Sequence, residues 1–289
     1  ITLRVLAIIL AVILVLAIAL IIINTIHRSA MEAYIDGFGK VTYDVQLKPD
    51  VDERGNYYFT TDDEFKVMQL TDIHLGGGFM FWDGDKKAIH AVAEMINELR
   101  IRGLYVIAKV PAFRDYQFGL NNITCGLPIG SGKYKGALWM DNDGYYWLKP
   151  TNAGTLNYLT TIVLELKGLG FDEVLLSDFQ IPATGNYSYT GDKDADLLDA
   201  AQTLMKSLST DYFTVSFGVA SSTFPLPEGR CRMYLEGVAP SSVGMTAAQA
   251  TISDADIRLV FVADTNDTRY EQYGVLRPLE AADVLEENK

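Results

Sequence analysis

The sequence predicts an α/β protein: one N-terminal transmembrane helix followed by a partial or rearranged (β/α) barrel of about six mostly parallel strands. Three observations predict this. Val5–Ile23 is an unbroken apolar run, long enough at about 1.5 Å per helical residue for a hydrocarbon core of roughly 30 Å. From Phe65 onward, short apolar segments alternate with amphipathic ones, the pattern of strands and crossover helices around a parallel sheet. Polar residues leave several of those strands at the carboxyl end, where sheets of this class carry their ligands.

The elements follow in order. Arg4 precedes the apolar run and Asn24, His27 and Arg28 follow it. A cleavable leader would have a shorter apolar stretch and a small-x-small site, which Asn24–Met31 lacks. Residues 1–28 therefore read as a signal anchor, with the soluble part held extracytoplasmically by a single pass through residues 5–23. Residues 29–64 read as a β-rich stalk, with strand-like alternation at Val41–Val45, a polar turn at Asp50–Asn56 and the run Tyr57–Phe59. Residues 65–99 form a strand–helix unit. Phe65–Thr71 is a buried strand, and Lys86–Leu99 is a helix with Ile89, Val92, Ala93 and Ile96 on one face.

Residues 100–289 continue the alternation. Strands are expected at Leu104–Val110, Val174–Phe179, Tyr212–Phe217, Met233–Leu235 and Ile257–Ala263, and helices at Leu156–Leu169, Ala195–Leu208 and Thr246–Thr251. Gly170 sits where a helix C-terminus favours glycine. Between Pro111 and Asn152 lies a long loop rich in Gly, Asn, Tyr and Trp.

Composition narrows the function. Asp and Glu total 37 against 24 Lys and Arg, a net charge of −13 over 289 residues. Without clustered cations the chain is not expected to bind a nucleic-acid backbone. Two cysteines, Cys125 and Cys231, exclude a disulfide framework and leave one pairing open. The three histidines, His27, His74 and His90, all fall in the first third of the chain, and no cofactor is expected.

The strand exits supply the candidate chemistry: Asp72 and His74, then Arg114 and Asp115, then Asp178, then Asp264. Glycoside cleavage uses two carboxyl groups, one with a raised pKa. Asp178, which follows the apolar Val174-Leu175-Leu176, and Asp115 are the expected catalytic pair. Arg114, Trp139, Trp147 and Asp264 are the expected substrate contacts, since aromatic faces beside polar groups suit sugar rings. Structural alternatives stand beside each. Asp178 could cap a helix, Arg114 and Asp115 could brace the long loop, and the loop aromatics could pin it to the barrel. Asp141–Gly144 reads as a turn.

Asp72 and His74, two residues apart at a strand end, could reach one metal ion. FKVMQLTDIHLGGG followed by KKAIHAVAEMINEL resembles the start of a membrane-anchored, calcineurin-like metallophosphoesterase. That family's later Gly-Asp, Gly-Asn-His and His ligands have no counterpart after Glu98. A divalent metal at Asp72 and His74 is thus expected only if a truncated phosphoesterase site functions.

From about 102 to 280 the chain resembles glycoside hydrolase domains with a TIM-barrel-like fold, through RGLYVIAKVPAFRDYQFG, GALWMDNDGYYWLKPTNAGTLNYL, LGFDEVLLSDFQIP, YFTVSFGVASSTFPLPEGRCRMYL and NDTRYEQYGVLRPL. The resemblance implies a carbohydrate-directed hydrolase acting on or binding a polysaccharide or glycan. Gln180 stands where that family often has Arg, which removes a bidentate hydrogen-bonding partner. The two resemblances together leave a third reading open, a catalytically silent chain composed of two family pieces.

Overall fold

The computed structural model of the chain describes residues 9–23, 25–26, 50–51, 57–58, 82–101, 103–265 and 267–277. The expected strands Val41–Val45 and Phe65–Thr71, the Asp72 and His74 pair, and residues 76–78 lie outside them. Within the run 5–23, residues 9–23 form helix α1, and its large Leu, Ile and Val side chains are exposed. Among the described residues, no helix is long and apolar enough to cross a membrane. In the predicted stalk, β1 (Asp50–Val51) pairs antiparallel with β2 (Tyr57–Tyr58).

The centre of the molecule is a six-stranded sheet in sequential order. Its strands are β3 (Ile107–Pro111), β4 (Glu173–Ser177), β5 (Thr214–Gly218), β6 (Met233–Glu236), β7 (Leu259–Val262) and β8 (Gly274–Leu276). Every neighbouring pair is parallel. The described residues supply six strands to this sheet, one of them not predicted from the sequence. The sixth described strand is β8, which carries no long apolar run, while Phe65–Thr71 is not among the described residues. At Gly274 a Cβ would lie 2.9 Å from Val260 Cγ2, so β8 approaches β7 more closely than a side chain permits.

Period-two alternation gives the sheet two faces. Ala108, Val174, Leu176, Val215, Phe217, Met233, Leu235, Leu259 and Phe261 join the large core under the helices. Ile107, Leu175, Tyr234 and Val260, with Tyr105 just before β3, form a second cluster on the concave face. Helix α2 (Trp82–Ile101) contributes Ile96 and Leu99 to the large core. Helix α3 (Tyr116–Asn121) lies in the long loop, where no helix is predicted.

Helix α4 (Ala153–Leu169) begins at an Asn152 cap that accepts from Gly154 N at 2.8 Å. It ends at Gly170 with φ 96°, the left-handed C-terminal position the sequence predicts. Helix α5 (Lys193–Leu208) buries Leu197, Ala200, Ala201, Leu204 and Leu208, one helical stripe. Two short helices follow, α6 (Val243–Ala248) and α7 (Ala255–Arg258).

The sheet curls, and its concave face is braced at the amino end of the strands by a polar plug. Glu173 of β4 is fully buried. It accepts from Tyr105 Oη at 2.9 Å, from Tyr234 Oη of β6 at 2.8 Å and from the Arg232 guanidinium. Burial, and then the Glu173 carboxylate, push both tyrosine hydroxyls up from their ordinary range. The thiols Cys125 and Cys231 are both buried and free, so the single disulfide left open by the sequence is not formed. Cys231 Sγ accepts from Arg258 Nη2 at 3.0 Å.

Candidate active site

The carboxyl end of β4 ends in a backbone feature with chemical content. Asp178 has φ 49°, one of two non-glycine residues with positive φ among those described. This left-handed turn lets Phe179, 1% exposed, pack against Phe113 at 4.9 Å and Phe217 at 4.6 Å. Phe179 N also donates to Gly218 O at 3.0 Å. Gly218 suits that close approach, because a Cβ would meet Ser177 Cα at 3.1 Å. A positive φ at a residue with a side chain costs about 1–3 kcal/mol and persists where the surroundings enforce it. The aromatic cluster below supplies that enforcement.

Asp178 is half-buried and caps none of the described helices. Among the described residues its carboxylate makes no hydrogen bond and no ion pair. Burial pushes its pKa up. The charges of Arg114 and Lys109 pull it back, while those of Glu236 and Asp141 push it further. Asp178, Lys109, Glu236, Arg114 and Asp141 therefore share one electrostatic neighbourhood at the carboxyl rim. Glu236 is the last residue of β6, and its Oε1 lies 2.5 Å from Lys109 Nζ of β3. The sequence reading missed both. Their signals were a lysine inside the apolar LYVIAKV and a carboxylate closing the strand MYLE.

The other expected site residues are placed as follows. Asp115 is the N-cap of α3: Oδ1 accepts from Phe118 N at 2.7 Å and Oδ2 from Tyr158 Oη at 2.6 Å. Both oxygens hold structure, which matches the loop-bracing alternative. Arg114 binds Asp141 at 2.8 Å and Asp143 at 2.5 Å, and lies 4.5 Å from the Tyr145 ring centroid. Asp141 Oδ1 accepts from Asp143 N and Tyr145 N, and Oδ2 also accepts from Trp147 Nε1 at 2.9 Å.

Burial pushes the Asp141 carboxyl up. The Tyr145 N–H, the Arg114 guanidinium and the Trp147 indole outweigh it and hold it at about 2. Asp141–Gly144 is thus a turn built on its own carboxylate. Trp147 is 6% exposed, which corrects the expectation of an open aromatic face there: it pins the hairpin from below. Trp139 is half-buried against Tyr187, with ring centroids 5.0 Å apart. Asp264 is exposed after β7, and Gln180 is half-buried on the β4 exit. Among the described residues no group of three or more His, Cys, Asp or Glu is placed to hold a metal ion.

No curated protein matches the chain. Among solved structures it is similar to a hypothetical protein from Ruminiclostridium thermocellum ATCC 27405, at 19% identity over 54% of this chain and 84% of that one, with TM-score 0.41. It is similar to Aspergillus fumigatus Ega3 in complex with galactosamine, at 11% identity over 64% and 78%, with TM-score 0.45. It is similar also to the glycoside hydrolase domain of PelA from Pseudomonas aeruginosa, at 12% identity over 66% and 84%, with TM-score 0.43. Residues 80–209, just under half of the chain, match the family described as "Putative glycosyl hydrolase domain". That stretch takes in α2, which the sequence resemblance assigns to a phosphoesterase-like unit, and it carries Arg114, Asp115 and Asp178.

Proposed function

We propose that the chain is a carbohydrate-directed hydrolase whose working carboxylates are Asp178 and Glu236. The observation that carries this reading is Asp178: a half-buried carboxylate in a left-handed strand exit that makes no hydrogen bond or ion pair among the described residues. A group held in a strained backbone without a hydrogen-bond partner is more readily explained by chemistry than by folding. The match of residues 80–209 to a glycosyl hydrolase family supports the class of reaction.

Glycoside cleavage then divides in two. Asp178, whose pKa burial raises, suits the acid that protonates the leaving oxygen. Glu236, ion-paired with Lys109, suits the carboxylate that activates water or attacks the sugar carbon. Asp115 is replaced in this pair because both of its oxygens are bonded within the fold. Arg114, Trp139 and Asp264 remain the residues that would touch the sugar, and the exposed Tyr145 ring beside Arg114 joins them. Glu236→Gln and Asp178→Asn, assayed on 4-nitrophenyl glycosides and on polysaccharides by reducing-end release, should each lose about 10³-fold or more in turnover. Wild-type turnover in both variants would overturn the assignment.

Attachment to a membrane through residues 5–23 belongs to the same proposal, supported by the exposed apolar side chains of α1. The full chain should stay with pelleted membranes after an alkaline wash, and quantitative release would sink this part.

A further inference from the structure

We propose that Lys109 is a positioning residue for the two carboxylates, holding Glu236 of β6 on the rim beside Asp178 of β4 from its own place on β3. The inference rests on the reading of Asp178 and Glu236 given above. In register, Lys109 is aligned with Leu175 of β4, and two whole strands, β4 and β5, separate it from β6. Its ammonium nevertheless reaches Glu236 Oε1 at 2.5 Å. The bond therefore crosses the concave face of the curled sheet.

Stability is a weak reason for this arrangement. The two side chains are 29% and 50% exposed, and ion pairs this open are worth about 0–1 kcal/mol. A lysine between Ala108 and Val110 also carries a desolvation cost that an aliphatic residue would not. Its placement gains meaning from the charges around Asp178. Those are Arg114 after β3, Lys109 within β3, Glu236 at the end of β6 and Asp141 in the hairpin. Arg114 directs its donors to Asp141 and Asp143, whereas Lys109 bonds Glu236 and acts on Asp178 as well. One cation thus serves both carboxylates. Without it, Asp178 would feel the Glu236 charge with less compensation, and Glu236 would lose its bond across the site.

The test uses the full chain with ¹³C-labelled Asp and Glu carboxyls, assigned with Asp178→Asn and Glu236→Gln and titrated by NMR in wild type, Lys109→Met and Lys109→Arg. Lys109→Met should shift the Asp178 midpoint upward, and Lys109→Arg should return it towards wild type. Turnover of the 4-nitrophenyl glycosides should fall about 10²-fold in Lys109→Met, the scale of a slightly misplaced reacting group. A lysine with only a structural role would change the melting temperature and leave the Asp178 midpoint where it is. An unmoved midpoint overturns the inference, and if Asp178→Asn and Glu236→Gln have lost turnover the carboxylate reading survives that result. Retained turnover in those two variants refutes the carboxylate reading itself, whatever Lys109 does.

Discussion

Glu173→Gln should destabilise the protein strongly, for reasons that can be worked through from the plug at the amino end of the sheet. Glu173 is fully buried and accepts from Tyr105, Tyr234 and Arg232. Glutamine keeps the shape but removes the charge, so Arg232 is left without its counter-ion and one of the three acceptor bonds meets an amide N–H. Breaking a buried pair on one side costs about 3–5 kcal/mol, since the remaining charge stays desolvated. Arg232 is 31% exposed and keeps some water, which places the expected loss near the lower end, about 3 kcal/mol.

In a domain of this size that lowers the melting temperature by about 6–12 °C, read by circular dichroism. Glu173→Met combined with Arg232→Met should recover much of the loss, because an apolar pair leaves no orphaned charge. A shift under about 2 °C for Glu173→Gln would refute the reasoning. It would mean that the two tyrosines and the arginine do not converge on one carboxylate, and so that β3, β4 and β6 do not curl together as described.

Two further outcomes separate structural carboxylates from working ones. Asp178→Asn should raise stability at neutral pH while abolishing turnover, because asparagine tolerates a left-handed backbone and carries no charge to desolvate. The sign follows from linkage. The folded-state pKa of Asp178 lies above its ordinary 3.8, so the folded state binds more protons and wild-type stability falls as pH rises through that window. The difference between variant and wild type should open between pH 3.8 and the folded value, and equal melting curves from pH 3 to 8 would contradict it. Asp115→Asn, by contrast, weakens the α3 cap and the acceptor for Tyr158. It should cost about 0.5–2 kcal/mol with turnover retained, and a 10³-fold loss of turnover at unchanged stability would restore Asp115 to the catalytic pair.

The legible parts of the fold are those whose physics is local. β3 to β7 announce themselves as apolar runs, and α4 ends where Gly170 says it should. What escaped depends on contacts far apart in sequence. β8 is a three-residue strand at the sheet edge, and the missing side chain of Gly274 lets it lie close against Val260. Helix α3 has only six residues, with Gly119 inside, and Tyr146 Cβ would lie 2.6 Å from any Cβ there. Its cap, Asp115, was visible as a carboxylate at a strand exit, and that pattern does not distinguish a cap from a catalyst. The Trp147 indole reads as a sugar platform until the Asp141 turn is seen to bond and bury it.

The site itself emerges by asking which carboxylates the fold already uses. Asp115 caps a helix, Asp141 organises a hairpin and Glu173 seals the concave face at the amino end. Each was equally acidic in the sequence, and each is bonded to several donors that would be stranded without it. Asp178 differs in kind. Its surroundings hold its backbone in a left-handed turn and provide its carboxylate with no donor among the described residues. Among the described residues Glu236 has a single ion-pair partner, Lys109, and shares that cation's field with Asp178. The charges that stabilise the sheet and those available for chemistry thus lie at opposite ends of the same strands, β4 and β6. In such a sheet the amino end can be bonded to completion while the carboxyl end keeps its acids open to a ligand.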